Sequence, residues 1–280
     1  MSVSDFIAKN IRHYARQWLE TLDVRVFPRY FNLLNGLFWK YPIIVRWDED
    51  RKKMLVNDNV TSLYFCRKSR VYRYIRGISR CLDGLARDYM LEHINFASGD
   101  WVVDCGANVG EISVWLVCNH KDVRVIAVEP EAEEADCADL NIFGGRSETV
   151  RKVLWSEETI LTFYKKAETA DSSVFETPGH TGTVSILATT LQKLLGERGV
   201  PSVRLLKLEA EGAEPEVLLG CGEYLEKIDF ISADCGPERG MQQEATATDL
   251  INFLLPRGFD LVDMKFDRVV CLFRNRNARA

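Results

Sequence analysis

VVDCGANVGE, running from Val102 to Glu111, decides the reading of the chain. An apolar run closes on an acid, Asp104. Two small residues, Gly106 and Ala107, follow, then Asn108 and a second glycine, Gly110. Beyond them EISVWLVCN has a helical pattern, and WVVDC before them reads as a short buried strand. Strand, glycine turn and helix in that order predict the first unit of an α/β domain.

The rhythm continues outward from this unit. VRVIAVEP predicts a second strand and AEEADCADLNIF the helix behind it; TVRKVLWS predicts a third strand. LTFYKKA and VSILATTL predict a small inserted pair of strands, followed by the helix LQKLLGER. VRLLKLEAEG and DFISADCG predict strands with the helix PEVLLGCGEYLEK between them; ATDLINFLLPRG predicts a last helix. FDLVDMKFD and RVVCLFRN predict a closing hairpin. Alternation of this kind gives a mostly parallel sheet covered on both faces, here expected to have seven strands with an antiparallel terminal hairpin.

Ligands of such sheets sit beyond the carboxyl ends of the strands, and the first turn is the usual contact. Gly106 and Gly110 are expected to let backbone approach the ligand. The three-glycine dinucleotide fingerprint is absent, and the Asp104 carboxylate would repel a pyrophosphate at this helix start. It would attract an ammonium and a sulfonium, both present in S-adenosyl-L-methionine. The second strand ends in Glu129, placed to accept hydrogen bonds from ribose hydroxyls, with Pro130 next to it. Either acid alone suits a blander role, Asp104 a helix N-cap and Glu129 a solvated strand end. The pair at successive strand ends favours a cofactor site.

At this point the chain resembles a known family. VVDCGANVG, VIAVEP, LLKLEAEGAEPEVLLG and the closing hairpin, across residues 89–274, resemble the FkbM family of S-adenosylmethionine-dependent methyltransferases. KLEAEGAE resembles that family's K-x-D-x-E-G-x-E block. The resemblance implies a Rossmann-like methyltransferase fold and O-methylation of sugars, polysaccharides, glycolipids or secondary metabolites. It implies that Asp104, Gly106, Ala107, Asn108 and Gly110 line the methionine end and that Glu129 holds the ribose. The chain departs from the family in having Glu209 for the usual Asp, Gln192 after Leu191, and Asp234 near the end of the fifth strand.

Lys207, Glu209 and Glu211 alternate at the end of the fourth strand, on one face while the strand lasts. Transfer of a methyl group to a hydroxyl needs alignment and a base. Glu209 and Glu211 are the candidate bases, each expected to raise the other's pKa. His180, in the loop ETPGHTG, is a further candidate, with a plain surface histidine as its alternative. Glu209 and Asp234 offer oxygen ligands that would suit Mg²⁺, but a divalent metal is not predicted.

The remaining signals bound the answer. Net charge is -5, which argues against nucleic acid as the main partner. The 8 cysteines form no CxxC and read as buried thiols of a reducing, cytoplasmic setting. No apolar stretch predicts a signal peptide or a membrane span. Residues 1–84 form an expected N-terminal cap, and 85–280 the methyltransferase domain. In the cap, Phe6, Ile7, Ile11, Tyr14, Trp18 and Leu22 recur at helical steps, with Ser2 and Asp5 as a capping box. Packing or formation of a homo-oligomer is the first reading of that helix, peripheral contact with a membrane the second. Lys68, Arg70, Arg73, Arg76 and Arg80, interleaved with Tyr72 and Tyr74, suit either a phosphate or acidic glycan, or a solvated face. A nicotinamide oxidoreductase and a non-catalytic binding protein of the same fold are the competing functions.

Overall fold

The computed structural model describes residues 13–166 and 171–278. The chain divides into two compact units, 1–81 and 82–280.

In the first unit, α1 (13–21) and α2 (Phe27–Leu34) precede a meander of β1 (Ile44–Asp48), β2 (Lys53–Asn57) and β3 (Ser62–Phe65), paired antiparallel in that order. The short α3 (Lys68–Val71) follows. Phe27, Phe31 and Trp39 pack inward along one side of α2 and its extension. Asn32 ties α2 to the sheet, donating to the Val45 carbonyl at 2.6 Å and accepting its N–H at 3.0 Å. The β1–β2 hairpin turns at Asp48, whose carboxylate accepts the N–H groups of Asp50 and Arg51. Lys68 does not present its charge outward as a phosphate ligand would require. Its ammonium donates to the carbonyls of Glu20 and Leu22, both at 2.5 Å, closing the end of α1. The expected capping box and the first turns of the amphipathic helix lie outside the described residues.

The second unit opens with α4 (Ile78–Asp88), whose start reaches back into the first. Then come β4 (Trp101–Cys105), α5 (Glu111–Asn119), β5 (Arg124–Val128) and α6 (Ala132–Phe143), at the places the sequence predicts. An inserted sheet holds β6 (Val153–Leu154), β7 (Ile160–Lys165) and β8 (Gly182–Thr189), in the order β6-β8-β7. After it run α7 (Leu191–Glu197), β9 (Val203–Leu208), α8 (Glu214–Leu219) and β10 (Ile228–Asp234). A small ribbon of β11 (Pro237–Arg239) and β12 (Glu244–Ala245), helix α9 (Ala247–Leu254), and the hairpin β13 (Phe259–Lys265) and β14 (Val270–Asn275) complete it.

Among the described residues the main sheet has six hydrogen-bonded strands, β13-β14-β10-β9-β4-β5, not the expected seven. β10, β9, β4 and β5 are parallel, and the hairpin adds two antiparallel strands. The expected third strand, TVRKVLWS, touches the edge of β5 through one parallel bridge, Val128 to Val150. Three residues on, Val153 and Leu154 pair with β8 instead. Successive side chains of the central strands alternate between two cores. Val102, Leu205, Phe230 and Leu272 face one, with residues of α4 and α5. Val103, Leu206, Ile231 and Phe273 face the other, with residues of α7, α8 and α9. Both faces are mostly apolar, and Asp104, Lys207 and Asp234 stand at or next to the carboxyl ends of their strands.

Candidate functional site

The β4–α5 turn shows what its glycines are for. Gly106 has φ +71, and a Cβ there would stand 1.9 Å from the Glu209 carbonyl oxygen. Gly110 has φ +90, and its Cβ would meet Ile142 Cδ1 at 2.7 Å. Their immediate contacts are thus β9 and α6, where the sequence suggested a ligand. The Gly106 and Ala107 N–H groups both donate to the Val128 carbonyl, which closes the turn against β5. Asn108, at φ 51, donates its N–H to Glu129 Oε2 at 2.8 Å. Gly106 and Asn108 are the half-exposed members of the turn; Ala107 and Gly110 are buried.

Asp104 is fully buried. Ser113 Oγ donates to its Oδ2 at 2.6 Å, and its Oδ1, without a hydrogen bond, faces Lys207 Nζ at 3.2 Å. The charge expected to meet a ligand is therefore already met inside the protein, because a carboxylate this deep requires a counterion. Lys207 also donates to the Gly106 carbonyl at 2.7 Å and the Cys105 carbonyl at 3.1 Å, and lies 3.1 Å from Glu209 Oε2. Burial alone would lower its pKa, but Asp104 and Glu209 outweigh burial and hold it above the usual lysine range.

Glu209 and Asp234 are bridged by Arg268, from the β13–β14 turn. Its Nη2 pairs with Glu209 Oε1, and its Nε lies 2.7 Å from Asp234 Oδ2. Nη2 also donates to Tyr89 Oη at 3.1 Å, and the Tyr89 ring lies 5.2 Å from the cations of both Lys207 and Arg268. The expected mutual raising of Glu209 and Glu211 fails at Glu209. Burial pushes that carboxyl up, yet Lys207 and Arg268 overcome it and hold it down at about 2. The two carboxylates that could have offered oxygen to a metal share the guanidinium instead. Among the described residues, no group of three or more His, Cys, Asp or Glu is arranged to hold a metal ion.

The other acids are crowded differently. Glu129 accepts the N–H of Asn108 on one oxygen and that of Glu131, at 2.8 Å, on the other. Pro130 between them has no N–H to give. Burial first, then Glu134 and Glu131, push Glu129 up to about 8. Glu131 pairs with Lys165 at 3.0 Å and accepts the Ser172 hydroxyl. Ser173 Oγ donates to the Glu211 carbonyl at 2.8 Å, so the insertion reaches the end of β9. Glu211, at φ 51, is pushed up to about 10 by burial and by Glu238, Glu209 and Asp171; Glu238 rises to about 8. His180 stays on the insertion, its Nδ1 3.1 Å from the Thr177 carbonyl and its ring edge-on to Tyr164. No described contact joins it to Glu209 or Glu211.

The structure thus gathers Asp104, Gly106, Lys207 and Glu209, keeps Glu129 and Pro130 at the next strand end, and places Glu211 among acids. Sequence reasoning missed Arg268, Tyr89, Glu131 and Glu238. Arg268 was within reach: a strand antiparallel to β10 starts beside that strand's carboxyl end, so the turn residues just before β14 arrive at the site. Glu129, Glu211 and Glu238 fit a cationic ligand rich in hydroxyls. Their ionised forms are disfavoured by burial and by neighbouring acids, Glu134 and Glu131 at Glu129, Glu238 and Glu209 at Glu211, and Asp234, Glu214 and Glu209 at Glu238; each carboxylate oxygen has lone pairs beyond one hydrogen bond.

The family described as the Methyltransferase FkbM domain matches residues 104–261, more than half of the chain. No curated protein gives a significant match. Among solved structures, the chain is similar to a methyltransferase FkbM from Methylobacillus flagellatus, at 16% identity and a TM-score of 0.48. That match covers 95% of this chain but only 59% of the other. It is also similar to M. capricolum TrmK in complex with S-adenosylhomocysteine, at 11% identity and TM-score 0.40, over 70% of this chain and 68% of that one. The N-terminal domain of human METTL16 with the same ligand matches at 11% and 0.38, over 71% and 70%. By the span and content of its matched domain, the chain belongs to the FkbM family of S-adenosylmethionine-dependent methyltransferases.

Proposed function

We propose that the protein transfers the methyl group of S-adenosylmethionine to a hydroxyl of a sugar, polysaccharide or glycolipid. The observation that carries the reading is the crowding of acids along the rim of the parallel strands, Glu129 beside Glu131 and Glu134 after β5 and Glu211 beside Glu238, Glu209 and Asp171 after β9, while Lys207 and Arg268 are already engaged by Asp104, Glu209 and Asp234. An added cation relieves that crowding. S-adenosylmethionine supplies an electrophilic methyl group and two positive charges when bound.

Each residue then has a separable task. Glu129 accepts hydrogen bonds from ribose hydroxyls. The turn from Gly106 to Asn108, its N–H groups already held by Val128 and Glu129, offers the methionine end its backbone surface and the remaining lone pairs of its carbonyls. Lys207 and Asp104 act from beneath, by fixing that turn. Glu211 accepts the proton of the acceptor hydroxyl. Glu209 is too weak a base for this, since two cations hold it ionised. A carboxyl raised as far as Glu211 is strongly basic once ionised, and a neighbouring cation brings its pKa toward the working pH. Sugar hydroxyls suit this arrangement because they are poor nucleophiles until a base removes the proton.

The test uses S-adenosylmethionine with a labelled methyl group and a panel of saccharide acceptors. The label should appear as a sugar methyl ether, and Glu211→Gln should suppress it. Transfer to amines or carboxylates only would defeat the hydroxyl assignment.

A further inference from the structure

α2 is apolar on two sides, and only one of them is covered. Phe27, Phe31 and Trp39 are buried within the first unit. Val26, Leu33, Leu37 and Phe38, on and beside the same helix, are between 41% and 61% exposed. Val26, Leu33 and Leu37, with the half-buried Tyr30, recur at the three- and four-residue steps of one helical stripe. Trp18, 46% exposed, packs edge-on to Tyr30 at 5.3 Å and widens the stripe with another amphipathic ring.

Across residues 24–47 the charges are of one sign, with Glu20 and the exposed Asp23 on the stretch just before. Residues 24–47 contain Arg25, Arg29, Lys40 and Arg46 and no Asp or Glu, in a chain of net charge -5. All four basic residues are exposed. Exposed Leu, Phe and Trp bordered by Arg and Lys are what an interfacial helix presents to lipid headgroups. A second copy is a poor occupant. A two-fold contact sets the same patch against itself, and within residues 24–47 that patch offers basic residues and no acid to pair with them.

We propose that the outward face of α2 and the turn after it docks on a bilayer carrying anionic phospholipid. Leu33, Leu37 and Phe38 enter the headgroup boundary, and Arg25 and Arg29 pair with its negative charge. This inference is independent of methyl transfer and concerns where the enzyme works. Among the described residues no helix is long and apolar enough to cross a membrane, so the contact lies in the interface plane.

The experiment is co-sedimentation of the full chain with phosphatidylcholine vesicles, with and without phosphatidylserine. Binding is expected only to the anionic vesicles, and it should weaken as salt rises. Arg25→Gln and Arg29→Gln should each lower the partition coefficient about fivefold. Leu37→Glu with Phe38→Glu should abolish binding while leaving the melting temperature near that of the wild type. If the double glutamate variant does not fold, the two arginine variants decide alone. No binding to anionic vesicles, equal binding to neutral ones, or arginine variants that sediment like the wild type would overturn the proposal. So would a dimer in light scattering that Leu37→Glu dissociates.

Discussion

Glu209 and Glu211 are two residues apart in sequence and opposite in chemistry. Glu209 lies between Lys207 and Arg268 and is held down at about 2; Glu211 lies among Glu238, Glu209 and Asp171 and rises to about 10. If the base is Glu211, Glu211→Gln should lower kcat by about 10²–10⁴-fold. Calorimetry should still find S-adenosylhomocysteine bound to that variant. Glu209→Gln should instead perturb the Lys207–Arg268 framework and show first as a lower melting temperature. Equal kcat losses from the two variants, with equal stability, would contradict the division of roles. Gly106 carries the third residue-scale expectation. An added methyl would collide with the Glu209 carbonyl at a φ that disfavours side chains. Gly106→Ala should therefore cost about 2 kcal/mol or more, seen in denaturant midpoints.

At the scale of elements, the site depends on a seam between β4, β9 and β10. Lys207 anchors β4 from β9 through Asp104 and two carbonyls, and Arg268 ties β9 to β10 from the hairpin. Lys207→Met leaves Asp104 buried without its cation and should destabilise the fold by about 3–5 kcal/mol, measurable by urea unfolding. Much of this framework was legible in the sequence. The strand–turn–helix units at β4 and β5 stand where their apolar runs and glycines predict, because local pattern and burial agree there. TVRKVLWS was legible as extended chain but not in its pairing. Its Val150 meets β5, whereas Val153 and Leu154 meet β8, and Arg151 turns to Asp136 and Asp139. Periodicity says that a segment is a strand; partners distant in sequence decide which sheet receives it. The ion pairs were hidden for the same reason. Asp104 reads as an open charge until β9 brings Lys207 beside it.

At the scale of the whole molecule, these acids make stability and ligand binding respond oppositely to pH. Glu129 and Glu238 have folded pKa values of about 8 and Glu211 of about 10, all above the ordinary 4.5. The folded state therefore holds protons that the unfolded chain has released. Their contribution to stability is full below 4.5 and is lost as pH rises through 8 and then 10. Glu209 works the other way: its contribution is present above 4.5 and lost as pH falls toward 2. Thermal unfolding should accordingly show the melting temperature of the free protein declining from about pH 6 to about pH 9. A ligand cation favours the ionised carboxyls, so its binding should release protons and tighten over the same range. S-adenosylmethionine and S-adenosylhomocysteine share their amino and carboxylate groups, so each affinity is compared after correction for that ligand's own amino titration in free solution. Only the sulfonium differs, and it does not titrate. The ratio of their affinities should therefore shift toward the sulfonium ligand as pH rises through about 8, by calorimetry in buffers of different ionisation enthalpy. A ratio that stays flat across that range would mean that the crowded acids do not face the ligand's charge.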